Sequence, residues 1–208
     1  MENFKTEQEN FWSGEFGDEY IDRNKDAELI ASCTKMFGDI FSKCTEIKSV
    51  LELGANRGNN LIAIKNILPP ATELSGIEIN KNAVNELKRI NGVTAYHSSI
   101  LDFKFEKKVD FVFTRGVLIH INPDELTHVY EKMYSVSSKY ICVAEYYNPS
   151  PVTIKYRGHD NRLFKRDFAG DLLEKYSDLK LVDYGFVYHR DSMFAQDDIT
   201  WFLMKKKV

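Results

Sequence analysis

The sequence predicts an α/β fold: a seven-stranded mixed sheet, mostly parallel, with helices on both faces and an added N-terminal segment. Three observations carry that expectation. Apolar runs of strand length alternate with helical stretches through five strands. A glycine turn, Gly54-Ala55-Asn56-Arg57-Gly58, separates the first strand from the helix after it. Two closing strands, at 180–189 and 198–204, are near enough in sequence to form an antiparallel pair.

The elements follow in order. Over residues 25–45, Leu29, Ile30, Cys33, Met36, Phe37, Ile40 and Phe41 recur at three- and four-residue steps, the stripe of a core-facing helix. A strand at 48–53 leads through the glycine turn into a helix that Pro69-Pro70 ends near Leu68. A second strand spans 73–79. The next helix, 81–90, closes at Asn91-Gly92, and a third strand runs from Val93 to His97. Strand four covers 108–113. Asn122 then caps a helix that carries Pro123 in its first turn and reaches about Val136. Strand five is 140–145. Residues 146–166 read as a long polar and aromatic connection, of a length that is usually functional, ordering on binding. Asp167 to Tyr176 reads as the last helix. The domain proper is 25–208, and residues 1–24 form a separate lid or capping segment. The aromatics within 11–20 want burial. Two readings fit them: an arm packed on the domain edge, or a lid in which Trp12, Phe16 and Tyr20 wall a cleft and Arg23 meets a carboxylate.

Composition narrows the function classes. The chain has 208 residues and a net charge of -3, so it lacks the basic balance of a general nucleic-acid binder. No apolar run reaches the length of a membrane span, and the first residues carry no apolar leader. Cys33, Cys44 and Cys142 have no metal-ligand spacing, so no metal is expected. A reducing, cytoplasmic setting is the default expectation. The sequence carries no signal for an oligomeric state.

A strand, a glycine turn and a helix open a nucleotide-binding unit, because glycine lets the backbone approach a ligand closely. A dinucleotide fingerprint needs glycines at relative positions one, three and six. Here those positions hold Gly54, Asn56 and Asn59, and no Gly-Lys-Ser/Thr is present. The remaining pattern, Glu52 before Gly54 and then Gly58, suits a ligand with an amino-acid end and no phosphate: Glu52 would face an ammonium while the turn passes a ribose. Glu78 ends the second strand twenty residues beyond Gly58, where such units place a carboxylate for two ribose hydroxyls. With these residues the chain resembles the class I S-adenosylmethionine-dependent methyltransferases, whose first motif is acid-x-Gly-x-Gly-x-Gly; Asn56 departs from it. The resemblance covers about 25–208 and implies a Rossmann-like class I methyltransferase fold. It implies S-adenosyl-L-methionine as cofactor, bordered by Glu52, Gly54, Ala55, Asn56, Gly58, Glu78 and Ile79. In that fold the loop after strand three holds the adenine. Ser99 stands where a carboxylate is often found, so either its hydroxyl or Asp102 would serve the base, with Ile100 packing on the ring. Thr114, Arg115 and Gly116 would border the methionine end.

Three blocks, 11–24, 114–123 and 156–169, look like the pseudaminic acid biosynthesis-associated methylase family, tied to bacterial nonulosonic sugars of surface glycans. That likeness implies methylation of a nitrogen or oxygen of a nonulosonic acid sugar or its precursor. Displacement at a sulfonium methyl asks chiefly for alignment, with a base only where the nucleophile carries a proton. His120, beyond strand four, is the first candidate base or orienting group, with His159 second. Tyr20 joins them as a candidate at the reacting site. Trp12, Arg23, Tyr146, Tyr147, Tyr156, Arg157 and Arg162 are candidates for the acceptor pocket, its arginines suited to a carboxylate or phosphate. The competing functions are an RNA or protein methyltransferase and a non-catalytic binding partner of the same fold; a dehydrogenase is disfavoured by the glycine spacing.

Overall fold

The computed structural model describes residues 4–23 and 27–207, without the side chains of residues 22 and 23. Candidate Arg23 therefore lies outside the described side chains.

Seven strands form one sheet: β1 (Ser49–Leu53), β2 (Glu73–Glu78), β3 (Val93–His97), β4 (Val109–Arg115), β5 (Ser137–Glu145), β8 (Leu179–Val187) and β9 (Ile199–Lys206). Their order is β3-β2-β1-β4-β5-β9-β8. The first five are mutually parallel, and β9 runs antiparallel to both β5 and β8. This is the seven-stranded mixed sheet that the sequence predicts. Strand order reverses between β1 and β4, so a crevice opens beyond their carboxyl ends, where open α/β sheets take ligands.

Period-two alternation sends neighbouring side chains to opposite faces. From β4 and β5, Phe111, Phe113, Tyr140 and Cys142 join a core with α3 (Ala27–Phe41) and α4 (Asn59–Lys65). Val112, Ile141 and Val143 join a second core with α6 (Leu126–Val136) and α7 (Phe168–Lys175). The stripe expected on α3 is the buried one: Cys33, Met36, Phe37 and Ile40 are all within 1% of full burial. The helix after β2 is α5 (Lys81–Leu87), capped by the Asn80 side chain. Among the described residues no helix is long and apolar enough to cross a membrane.

Two stretches differ from expectation. Residues 146–166 are not a loop throughout. They contain a separate antiparallel hairpin, β6 (Val152–Tyr156) and β7 (His159–Lys165), turned at Arg157 and Gly158 with positive φ at both. The polar first half of β7, His159-Asp160-Asn161-Arg162, obscures the pair, and only Leu163 and Phe164 are buried. The N-terminal stretch, to which the sequence assigns no element, folds as two helices, α1 (Glu7–Ser13) and α2 (Glu15–Arg23). A capping box starts α1: the Glu9 N–H donates to Thr6 Oγ1, and the Thr6 N–H donates to the Glu9 carboxylate. Gly17 permits the two helices to close on each other, since a Cβ there would sit 1.9 Å from the Trp12 carbonyl oxygen.

Candidate active site

A cavity lies at the carboxyl edge of β1, β2, β4 and β5, with α1 and α2 across it. Its floor is the glycine turn. The Gly54 and Ala55 N–H groups donate to the Ile77 carbonyl at 2.9 and 2.8 Å, tying the turn to β2. Gly54 has φ +77°, and a Cβ there would lie 2.6 Å from Val117, so only glycine fits. Gly58 serves differently. It sits behind the cavity with φ +87°, and a Cβ would strike Ile90 at 2.4 Å and Leu87 at 2.6 Å. Its role is to let α4 start against α5.

Glu78 faces the cavity from the end of β2. Its carboxylate accepts from the Asn56 N–H at 2.7 Å and the Asn80 N–H at 2.8 Å. Burial pushes its pKa up, and these bonds pull it back. The two N–H groups fix the carboxylate's orientation and leave lone pairs toward the cavity. Ile79, Ser99, Ile100 and Leu101 continue the same wall.

Glu52 corrects an expectation. It does not line the cavity: it is fully buried under the turn, and the Asn60 Nδ2 donates to its Oε1 at 2.6 Å. The first-strand acid points inward because the β1 side chain at that position lies beneath α4. Desolvation pushes the Glu52 pKa up to about 8, opposed by the Asn60 bond and the Arg115 charge. Asn60, which sequence reasoning passed over, carries the contact to the cavity wall.

On the β4 side, Arg115 and Gly116 line the cavity and Thr114 does not. Thr114 is fully buried beside Glu145, since alternate residues of a strand point to opposite faces. The Arg115 guanidinium donates through Nε and Nη2 to Gln196 Oε1 at 3.1 and 2.7 Å. Glu145, at the end of β5, accepts from the N–H groups of Val117 at 3.0 Å and Leu118 at 3.1 Å. It thereby holds the short turn Leu118–His120 at its amino end. Burial raises the Glu145 pKa to about 7 against those bonds.

That turn presents His120 to the cavity. The His120 Nδ1 lies 2.6 Å from the Arg162 carbonyl oxygen. A carbonyl can only accept, so Nδ1 carries the proton and Nε2 keeps its lone pair. Burial lowers the His120 pKa to about 4, with the Arg162 carbonyl opposing. The ring is therefore neutral across the physiological range. It packs 4.5 Å from the Trp12 ring and 5.0 Å from Tyr156.

Trp12, Tyr20, Tyr146 and Tyr156 also line the cavity. Four other candidates do not. Tyr147 is turned out, 41% exposed, against Phe202. Arg157 sits at the exposed hairpin tip over Tyr156. His159 is exposed at the base of that turn, edge-on to Phe11 at 5.0 Å. Arg162 pairs with Glu7 at 2.9 Å and lies over the Phe11 ring, so it acts through its carbonyl alone. For His159 and Arg162 the cause is strand pairing in the hairpin, which a loop reading does not anticipate. Asp102, the alternative to Ser99, stands outside the lining as well, because the Asp102 N–H turns back to the Ser99 carbonyl.

The sheet order, its one reversed strand and the ligand crevice at the β1/β4 switch define the class I methyltransferase fold. Residues 50–139 match the model of the family described as "Methyltransferase domain". No curated protein matches the sequence. Among solved structures the chain is similar to the 1,6-didemethyltoxoflavin-N1-methyltransferase of Burkholderia thailandensis, at 12% identity and a TM-score of 0.70, covering 97% of this chain and 87% of that one. It is similar to magnesium protoporphyrin IX methyltransferase of Synechocystis PCC 6803, at 12% identity and a TM-score of 0.68, covering 96% and 98%. An amino pentose methyltransferase of Micromonospora echinaspora superposes over the whole of both chains at 11% identity and a TM-score of 0.64. At these identities the likeness is one of fold.

Proposed function

We propose that the protein is an S-adenosyl-L-methionine-dependent methyltransferase acting on a small molecule. The observation that carries this reading is Glu78: a buried carboxylate, aimed by two backbone N–H groups into the cavity that also holds His120. The residues present fit the cofactor. Glu78 would take the vicinal ribose hydroxyls, and Gly54 leaves room for the backbone to approach. Ser99, Ile100 and Leu101 would edge the adenine. Asn60, whose Oδ1 is buried without a protein partner, would meet the amino-acid end together with Arg115 and Gly116. Glu52 acts beneath them as the group that orients Asn60. When bound, the cofactor supplies an electrophilic sulfonium methyl group. The solved structures described above, two determined with S-adenosylhomocysteine and one with the cofactor itself, are methyltransferases of 1,6-didemethyltoxoflavin, magnesium protoporphyrin IX and an amino pentose, which supports the reading.

The acceptor end is aromatic: Trp12, Tyr20, Tyr146 and Tyr156 exclude water and hold a small acceptor in line, where orientation supplies much of the rate. His120 is the proton acceptor, through Nε2. With its pKa near 4 it is a weak base. It therefore suits a nucleophile that gives up its proton late or easily, such as an amine nitrogen or an acidic hydroxyl, better than an aliphatic alcohol. The helices α1 and α2 are a lid over both halves. The three sequence blocks at 11–24, 114–123 and 156–169 support a nonulosonic acid sugar or its precursor as acceptor. Arg157 and Arg162 do not line the cavity, so neither supplies that carboxylate's partner.

Methyl transfer from labelled cofactor to a metabolite extract, with the product identified by mass spectrometry, tests this function. A labelled small-molecule product is expected. Label appearing only in RNA or protein would replace the small-molecule assignment, and absence of any binding to S-adenosylhomocysteine would remove the methyltransferase reading.

A further inference from the structure

The loop after β3 presents Ser99 rather than a carboxylate, yet a carboxylate is present there from elsewhere in the chain. Glu9 of α1 is 6% exposed, lines the cavity, and accepts a hydrogen bond from the Ser99 hydroxyl across ninety residues of sequence. Its other oxygen serves the capping box with Thr6, at 2.9 Å to the N–H and 3.0 Å to the hydroxyl. Beside it on α1, Gln8 is 4% exposed and also lines the cavity. Its Nε2 donates to the Asn161 carbonyl at 3.1 Å, while its Oε1 is buried without a protein partner. A buried acceptor is costly unless a donor meets it. The side chains that α1 turns to this wall thus offer acceptors, a carboxylate and an amide oxygen, and the Ser99 hydroxyl is already spent on Glu9.

Resting on the cofactor assigned above, we propose that α1 completes the adenine site: Glu9, supported by Gln8, accepts from the exocyclic amine of the base in place of a β3-loop carboxylate. The N-terminal helices then belong to the cofactor site as well as to the acceptor wall. The same helix pair carries Trp12 and Tyr20, and Asp18 on α2 accepts from Asn80 Nδ2 at 2.8 Å, next to Glu78. Contacts to the cofactor and the walls of the acceptor pocket are thus carried by the same pair of helices.

Isothermal titration with S-adenosylhomocysteine and S-inosylhomocysteine tests this, because the second replaces the donating amine by a carbonyl. The wild-type protein should favour the adenosyl compound by on the order of 10- to 100-fold, the range of a hydrogen bond to a charged group. Glu9→Ala should bring the two affinities within about threefold of each other. Thr6→Ala, which removes the capping hydroxyl but keeps the carboxylate, should retain most of the preference, and circular dichroism checks that each variant is folded. A preference that survives in Glu9→Ala overturns the proposal, as does wild-type protein that binds both compounds alike. Equal loss in Thr6→Ala would reduce Glu9 to a helix cap and overturn it too. Wild-type protein that binds neither compound contradicts the methyltransferase reading itself, a separate outcome.

Discussion

Replacing His120 by glutamine isolates what its ring contributes. A glutamine amide can still donate to the Arg162 carbonyl, which His120 Nδ1 now meets at 2.6 Å, so that acceptor need not be orphaned. The variant loses ring contacts to Trp12 and Tyr156, at 4.5 and 5.0 Å, worth about 0.5–1.5 kcal/mol each. A stability cost of roughly 1–3 kcal/mol is therefore expected at neutral pH. The acid side behaves oppositely. His120 is held neutral down to about pH 4, whereas an unfolded histidine titrates near 6.5. Between those values the unfolded chain binds the extra proton. The stability that His120 contributes is thus complete above about pH 6.5 and is lost toward pH 4, at up to ~1.4 kcal/mol per pH unit. His120→Gln should remove that loss and flatten the acid limb in urea titrations. Methyl transfer should fall by about 100- to 10,000-fold in the same variant if Nε2 takes the proton, with affinity for S-adenosylhomocysteine within about threefold of wild type. Long-range ¹H–¹⁵N spectra of the five histidines read the ring directly. One ring should stay neutral, protonated at Nδ1, to below pH 5, and should vanish in the variant. A His120 ring that titrates near 6.5, or carries its proton on Nε2, refutes the reasoning.

Other expectations follow from the same site. Glu52 and Glu145 have pKa values raised to about 8 and about 7, so the folded protein retains protons that the unfolded chain releases above about 4.5. Their contribution is present at low pH and lost as pH rises through those values, and Glu52→Gln should lessen the fall in stability between about pH 6.5 and 8 in urea titrations. Gly54→Ala places a Cβ 2.6 Å from Val117 at φ +77°; it should cost at least ~1 kcal/mol in stability and weaken S-adenosylhomocysteine binding more than about tenfold by calorimetry. Arg157→Ala, at the exposed hairpin tip, should leave methyl transfer unchanged within about twofold, and a larger loss would return that arginine to the acceptor pocket.

The parts of the site legible in the sequence are those in which the backbone itself must approach a ligand or a neighbour. Gly54 and Glu78 mark the ends of β1 and β2 by chemistry as well as by period, and His120 closes the short turn that follows β4. The side on which a residue projects was less legible. Glu52 reads as a cavity carboxylate until α4 is placed over it, and only then does Asn60 become the group at the surface. Thr114 and Arg115 are neighbours in sequence but point to opposite sides of β4. In the hairpin at 152–165, β6 alternates Val152, Ile154 and Tyr156 with Thr153 and Lys155, but β7 opens on the polar run His159-Asp160-Asn161-Arg162 and so hides the pair. For α1 a signal did exist: Thr6-Glu7-Gln8-Glu9 has the capping-box spacing, obscured by the aromatic run that follows. Glu145 had no such mark, since a carboxylate that caps a turn beyond another strand is a tertiary relation.

The central claim is that Glu78 clasps an adenosyl ligand at the edge of a parallel sheet. Calorimetric titration of S-adenosylhomocysteine into wild-type and Glu78→Gln protein tests it most directly. The account predicts one site per chain in the wild type, and about 10- to 100-fold weaker binding in the variant with a melting temperature close to the parent's. Equal affinity in the two proteins, or no heat in either, contradicts it.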